Sequence, residues 1–152
     1  MSSNREVVER YAASLGRAMQ GGSYDELNAL RHPDFVEEWP QSQERIRGGD
    51  KMRLIDERRP NKPAAGFVEH FVGSEDRFAL SPMMTVVHVA GTGDAYTIVW
   101  RAKYAGGDEW YVVMLCTLRD RRVWRASTYF APCYEAPTWR SDWVEPMAQA
   151  GV

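Results

Sequence analysis

The stretch from residue 66 to residue 130 constrains this chain more than any other part of it. Five runs rich in β-branched and aromatic residues lie there, at 67–72, 78–90, 96–105, 109–118 and 123–130. Turn signals separate the last four: Gly91-Thr92-Gly93-Asp94, Ala105-Gly106-Gly107-Asp108 and the charged stretch 119–122. Strands joined by such short turns pair antiparallel, because parallel neighbours need a long crossover. A meander of this length must twist and curl. Pro82 cannot donate to a ladder, so it bends or interrupts the second run.

Helical signals come before the strands. Ser3 and Glu6 make a capping-box pattern, and Val7, Val8, Tyr11, Leu15 and Met19 follow at helical spacing up to Gly21-Gly22. Ser23 and Glu26 repeat the box ahead of Leu27 and Leu30, and His32-Pro33 stops that second helix. A short strand follows at 35–39, closed by Pro40. Gly48-Gly49-Asp50 opens a third helix with Met52, Leu54 and Ile55. Arg58 and Arg59 suit its negative end, before Pro60. This order predicts an α+β domain over 1–152: a cone-shaped, curved antiparallel sheet wrapped by three N-terminal helices. The open end of such a cone can admit a small molecule. The tail beyond Ala131 holds Pro132, Pro137 and Pro146 and reads as irregular. Tyr134, Trp139, Trp143 and Val144 need burial, so it is expected to dock.

The charge balance narrows the function classes. A net charge of −2 argues against a nucleic-acid partner, which calls for a basic face. Cys116 and Cys133 lack metal-ligand spacing and suggest no disulfide framework, which fits a reducing cytoplasm. The opening MSSNREVVERY has no apolar stretch for a signal peptide, and no run is long enough to span a membrane. Six Trp, seven Tyr and five Phe supply large flat surfaces, which suit either a pocket or interface, or an aromatic core.

The segment GSYDELNALRHPDFVEEWPQSQERIRG and the close VWRASTYFAPCYEAPTWRSDWVEP resemble the nuclear transport factor 2-like (SnoaL-like) superfamily. The resemblance covers nearly the whole chain. It implies the cone fold and a homodimer through the outer face of the sheet. Its members include ketosteroid isomerases, polyketide cyclases, dehydratases, epoxide hydrolases and non-catalytic binding proteins. In the most similar subgroup, Gly is usual where Gln43 stands here. Laid on the ketosteroid isomerases, the general-base Asp falls on Trp39, the oxyanion Tyr on Leu15 and the oxyanion Asp near Met114. The acid–base Asp of the cyclases falls near Thr128. None of these four residues can replace the lost carboxylate or phenol at neutral pH.

Strand alternation then sorts the faces. With the base position inward, Phe35, Glu37 and Trp39 face the pocket, and Val36 and Glu38 face out. Later strands add Tyr96, Ile98 and Trp100; Trp110, Val112, Met114 and Cys116; Trp124, Ala126, Thr128 and Phe130. The expected ligand contacts are Phe35, Trp39, Ile98, Trp100, Trp110, Val112, Met114, Trp124, Thr128 and Phe130. Glu37, among aromatics, is a candidate acid or base with a raised pKa. It could equally pair with Arg45 or Arg47, or sit exposed at the rim. Glu38 is the other catalytic candidate, because the subgroup motif places its acid there. Glu44 is expected in the turn before the third helix, and Ser42 as a brace of that turn. His32 reads as structural. His70 and His88 are either pocket partners or hydrogen-bonded strand residues. No metal site and no cofactor motif is expected.

Three readings follow. The chain binds a small hydrophobic molecule and acts as a cofactor-independent isomerase, cyclase or dehydratase; or it only holds a ligand; or it is a dimeric accessory module with a filled pocket.

Overall fold

The computed structural model describes residues 2–19, 21–59, 84–103 and 109–147. The expected strand at 67–72, Pro82, His70 and the Gly106-Gly107 turn lie outside the described residues. Helix α1 spans Asn4–Met19, α2 Asp25–Ala29 and α3 Gly49–Arg58. Strands are β1 Arg31–Trp39, β2 Glu44–Arg47, β3 Met84–Thr92, β4 Ala95–Lys103, β5 Glu109–Arg119 and β6 Arg122–Pro132. The six strands form one sheet in the order β2-β1-β6-β5-β4-β3. This is the expected α+β class with three helices ahead of the main run of strands.

The capping box of α1 forms: Ser3 Oγ accepts from the Glu6 N–H, and Glu6 Oε2 accepts from the Ser3 N–H. The second box does not. Ser23 Oγ instead accepts from the Asp25 N–H, and Glu26 is drawn to Arg10 and Arg17 of α1. Helix α1 buries Val7, Val8, Tyr11, Ala12 and Met19 against the sheet. Trp100 of β4 ties the two layers, its Nε1 donating to the Ala12 carbonyl at 3.1 Å.

The sheet departs from the expected one in three places. It is mixed, since β1 runs parallel to β6, with Glu37 beside Ala126 and Glu38 beside Ser127. The first strand begins at Arg31, four residues earlier than alternation suggested, and His32-Pro33 lies inside it. Glu44 opens strand β2 instead of sitting in a turn, because 44–47 pairs back on 36–39. Elsewhere β3 to β6 form the antiparallel meander. Asp120 and Arg121 take φ of 50° and 58°, the left-handed pair that a tight hairpin needs.

The tail does not dock on its own domain. Tyr134, Trp139 and Trp143 are 79%, 74% and 78% exposed, and Thr138–Trp143 forms only a short 3-10 helix. Among the described residues, no helix is long and apolar enough to cross a membrane.

The β1–β2 turn carries a testable strain. Gln43 sits at φ 60°, where a side chain costs about 1–2 kcal/mol and glycine costs little. Gln43→Gly should therefore raise Tm by about 2–4 °C in a chain of this size. Scanning calorimetry would show it, and an unchanged or lower Tm would mean that the turn bears no such strain.

Candidate functional site

Alternation on β1 places Phe35 and Glu37 inside and leaves Glu38 outside. Glu37 is buried, and its Oε2 accepts a 2.6 Å hydrogen bond from Trp39 Nε1. Burial pushes its carboxyl above the usual carboxylate range. The Trp39 hydrogen bond and the Arg31 charge pull the other way. The parallel pairing sets Glu37 in one inward row with Ala126 of β6 and Cys116 of β5. Burial raises the Cys116 thiol to about 12, so it is no nucleophile at neutral pH.

Arginine was not among the expected inward residues, yet Arg31 is almost wholly enclosed. Its side chain is 2% exposed and that of Asp56 is 1%. Arg31 Nη2 reaches Asp56 Oδ2 at 3.5 Å, and Nε donates to the Tyr11 hydroxyl at 3.2 Å. The guanidinium lies over the rings of Phe35 and Tyr11 at 5.1 and 5.7 Å. Arg59 adds a second contact to Asp56 at 3.1 Å. Burial lifts the Asp56 carboxyl while the two guanidinium groups oppose it, and burial raises the Tyr11 phenol. Among the described residues, two buried polar atoms, Arg31 Nη1 and Thr128 Oγ1, have no hydrogen-bond partner. The Thr128 hydroxyl lies near enough to Glu37 to favour its charge, but makes no well-aligned bond to it.

These groups surround an internal cavity of about 40 Å³, whose wall includes Tyr11, Arg31, Glu37, Asp56, Thr128 and Phe130. That volume holds a few water molecules or the head of a small ligand. Arg59, Leu15, Met19, Met52, Trp100, Val112 and Met114 complete the wall. The expected ligand residues therefore divide. Trp100, Val112, Met114, Thr128 and Phe130 reach the cavity. Phe35 and Ile98 lie in the core behind it, and Trp39 braces Glu37 while meeting Phe130 edge-on at 5.6 Å. Trp110 is half-buried near the end of β5 and is not in the wall. Trp124 is a correction. A bulge pairs Leu118 with Val123 and Thr117 with Arg125, so Val123 turns inward, and Trp124 lies between the guanidinium groups of Arg119 and Arg125.

Glu38 faces outward and is held by Arg45 at 2.7 Å, the partner considered for Glu37. His88 lies on β3 away from the cavity wall, and His32 contacts Asp120 at 3.3 Å. Among the described residues, no group of three His, Cys, Asp or Glu could hold a metal ion. Sequence reasoning missed Tyr11, Arg31 and Asp56. Only Tyr11 left a signal, one helical turn before Leu15 on the same face of α1.

No protein-family model and no curated protein matches the sequence. Solved structures do. An NTF2-like protein of unknown function from Burkholderia xenovorans LB400 is 25% identical, with a TM-score of 0.72 over 95% of both chains. A candidate ketosteroid isomerase from Kribbella flavida DSM 17836 is 20% identical, with a TM-score of 0.71 over 96% of this chain and 90% of its own. An LEH-like epoxide hydrolase of M. tuberculosis is 18% identical, with a TM-score of 0.56 over 84% and 81%.

Two stability measurements probe the cluster. Asp56→Asn leaves the Arg31 charge buried against a neutral amide and should cost about 3–5 kcal/mol by urea unfolding. A loss below about 1 kcal/mol would show that the pair is not coupled to folding. Glu37 binds its proton more tightly folded than unfolded, so its stabilising contribution is complete below the ordinary value of 4.5. That contribution is lost as pH rises through the raised value. Glu37→Gln should therefore gain stability relative to the wild type as pH rises above 4.5. A pH-independent difference would contradict the raised pKa.

Proposed function

The chain has the nuclear transport factor 2-like fold, and we propose that it is a pocket protein whose Glu37 moves a proton on a small molecule. The chemistry would be that of a cofactor-independent isomerase, cyclase or dehydratase. The observation that carries this reading is a buried carboxyl with a raised pKa on the wall of an internal cavity. Trp39 holds Oε2, which leaves Oε1 to take a proton from one position of a bound molecule and return it at another. A carboxyl with a raised pKa suits both steps, and such transfer contributes roughly 10²–10⁴ in rate. The similarity to a candidate ketosteroid isomerase and to an epoxide hydrolase supports a reaction on a small organic molecule. Met19, Met52 and Met114 give the wall room to adapt. Two free cysteines suit a cytoplasmic setting.

The small cavity volume favours a second reading, a non-catalytic ligand-binding or dimeric accessory protein. Proton exchange separates the two without knowledge of the natural substrate. Butanone and cyclohexanone are incubated with the protein in D2O, and loss of the α-hydrogen NMR signal is followed. Catalysed exchange should fall about a hundredfold or more in Glu37→Gln. Undiminished exchange in that variant would remove Glu37 from the mechanism, and no exchange above buffer in the wild type would favour the second reading.

We also propose a homodimer in which the tail of one copy lies on the outer sheet face of the other. That face carries an open trough of about 740 Å³ whose lining includes Val36, Arg47, Leu115 and Arg125, with Arg45 paired to Glu38. The exposed tail carries Trp139, Trp143 and Met147, with three acidic residues, Glu135, Asp142 and Glu145, against one basic residue, Arg140. Apolar surface and opposite charge thus match across the contact. Light scattering should give a dimer mass. Trp139→Ala with Trp143→Ala should shift it towards monomer at tenfold or higher concentrations. A monomer mass at every concentration would end this proposal.

A further inference from the structure

The proton-transfer reading leaves Arg31 and Thr128 unused. Both line the Glu37 cavity, and each keeps one buried polar atom without a partner. A buried donor without an acceptor is costly, and more so when charged. Two on one wall is an arrangement that a ligand oxygen would relieve. The Tyr11 hydroxyl accepts from Arg31 Nε, so its own hydrogen is left for another acceptor beside the same cavity. Three donor-bearing residues, from α1, β1 and β6, therefore line one small space.

Charge points to the class of ligand. Arg31 and Arg59 face a single carboxylate, Asp56, so the cluster carries one positive charge in excess when Glu37 holds its proton. We infer that the cavity takes the carboxylate head of a short-chain monocarboxylate, one oxygen accepting from Arg31 Nη1 and Tyr11 and the other from Thr128 Oγ1. This rests on the reading that the cavity holds a ligand, and not on proton movement by Glu37.

Size agrees with this. A cavity of about 40 Å³ receives a carboxylate head but no large apolar body. The short chain would run along Leu15, Met19 and Phe130, which share the wall. Both unpartnered atoms are sealed from water-sized contact in this arrangement, so binding needs a small displacement. The methionines of the wall are the side chains that shift most readily. The ion pair with Asp56 fixes one edge of the guanidinium and leaves the Nη1 edge as the recognition edge.

The test is a calorimetric titration of the whole chain with sodium acetate, propionate and butyrate. Acetamide, propionamide and butyramide serve as neutral twins, with ionic strength matched by sodium chloride. A carboxylate should bind at one site, at least about tenfold tighter than its amide. Arg31→Lys should weaken it by about tenfold or more, and Thr128→Val by several-fold. If Arg31→Lys does not fold, Thr128→Val keeps the shape, removes only the hydroxyl and decides alone. The groups facing Glu37 are Tyr11 of α1, Arg31 and Trp39 of β1, Asp56 of α3, Cys116 of β5 and Thr128 of β6. Since ionised Glu37 opposes the anion, wild-type binding should fall as pH rises, and Glu37→Gln should bind with little pH dependence. Retained binding with lost exchange in Glu37→Gln supports both proposals. Retained binding with retained exchange sinks only the proton-transfer reading. Equal affinity for carboxylates and amides, or carboxylate binding unmoved by Thr128→Val, would overturn the anion site.

Discussion

The ion pair between Arg31 and Asp56 is the constraint on which the rest of this molecule depends. Two charges almost wholly removed from water carry a desolvation penalty of several kcal/mol each. That penalty is offset only if every neighbour is in place. Tyr11 must reach in from α1, Phe35 must lie flat beneath the guanidinium, and Arg59 must cover the far side of Asp56. Three separate elements, α1, β1 and α3, are thereby held to one geometry. A purely apolar cluster would tolerate many packings, whereas this one tolerates few.

The resemblance places the working groups of ketosteroid isomerases on Leu15, Met114 and Trp39. In the structure the first two line the cavity, and the third grips Glu37. Polar groups stand close to two of these positions. Tyr11 stands one helical turn from Leu15, and Glu37 two residues from Trp39 on the same strand face. A fold sets where a cavity forms, and the side chains around it set what that cavity can recognise.

Much of this was legible in the sequence because periodicity is a local property. The caps of α1 and the β-meander follow from spacing, and the inward set Glu37, Met114 and Thr128 follows from alternation once the resemblance fixes which face of β1 is inward. The parallel contact of β1 with β6 did not show, since it joins opposite ends of the chain and leaves no turn signal. Trp124 was misplaced because it is itself the extra residue of a bulge, which breaks the alternation between Val123 and Arg125. Arg31 was missed for a different reason. Arginine is a surface residue by base rate, and its burial is explained only by Asp56, which arrives from another element. The exposed tryptophans of the tail show the limit of burial arguments. Hydrophobicity says that such a side chain must be covered, but not by which molecule.

One small feature bears on how the cavity opens. The Gln41 side chain donates to the Phe130 carbonyl at 2.9 Å and accepts from its N–H at 2.6 Å, in place of a missing strand neighbour. Phe130 is thus clasped from outside while its ring forms part of the cavity wall and rests on Trp39. On the sheet side the cavity wall is thus held by backbone hydrogen bonds, whereas its helical side is formed by Met19 of α1 and Met52 of α3, side chains that adapt their shape readily.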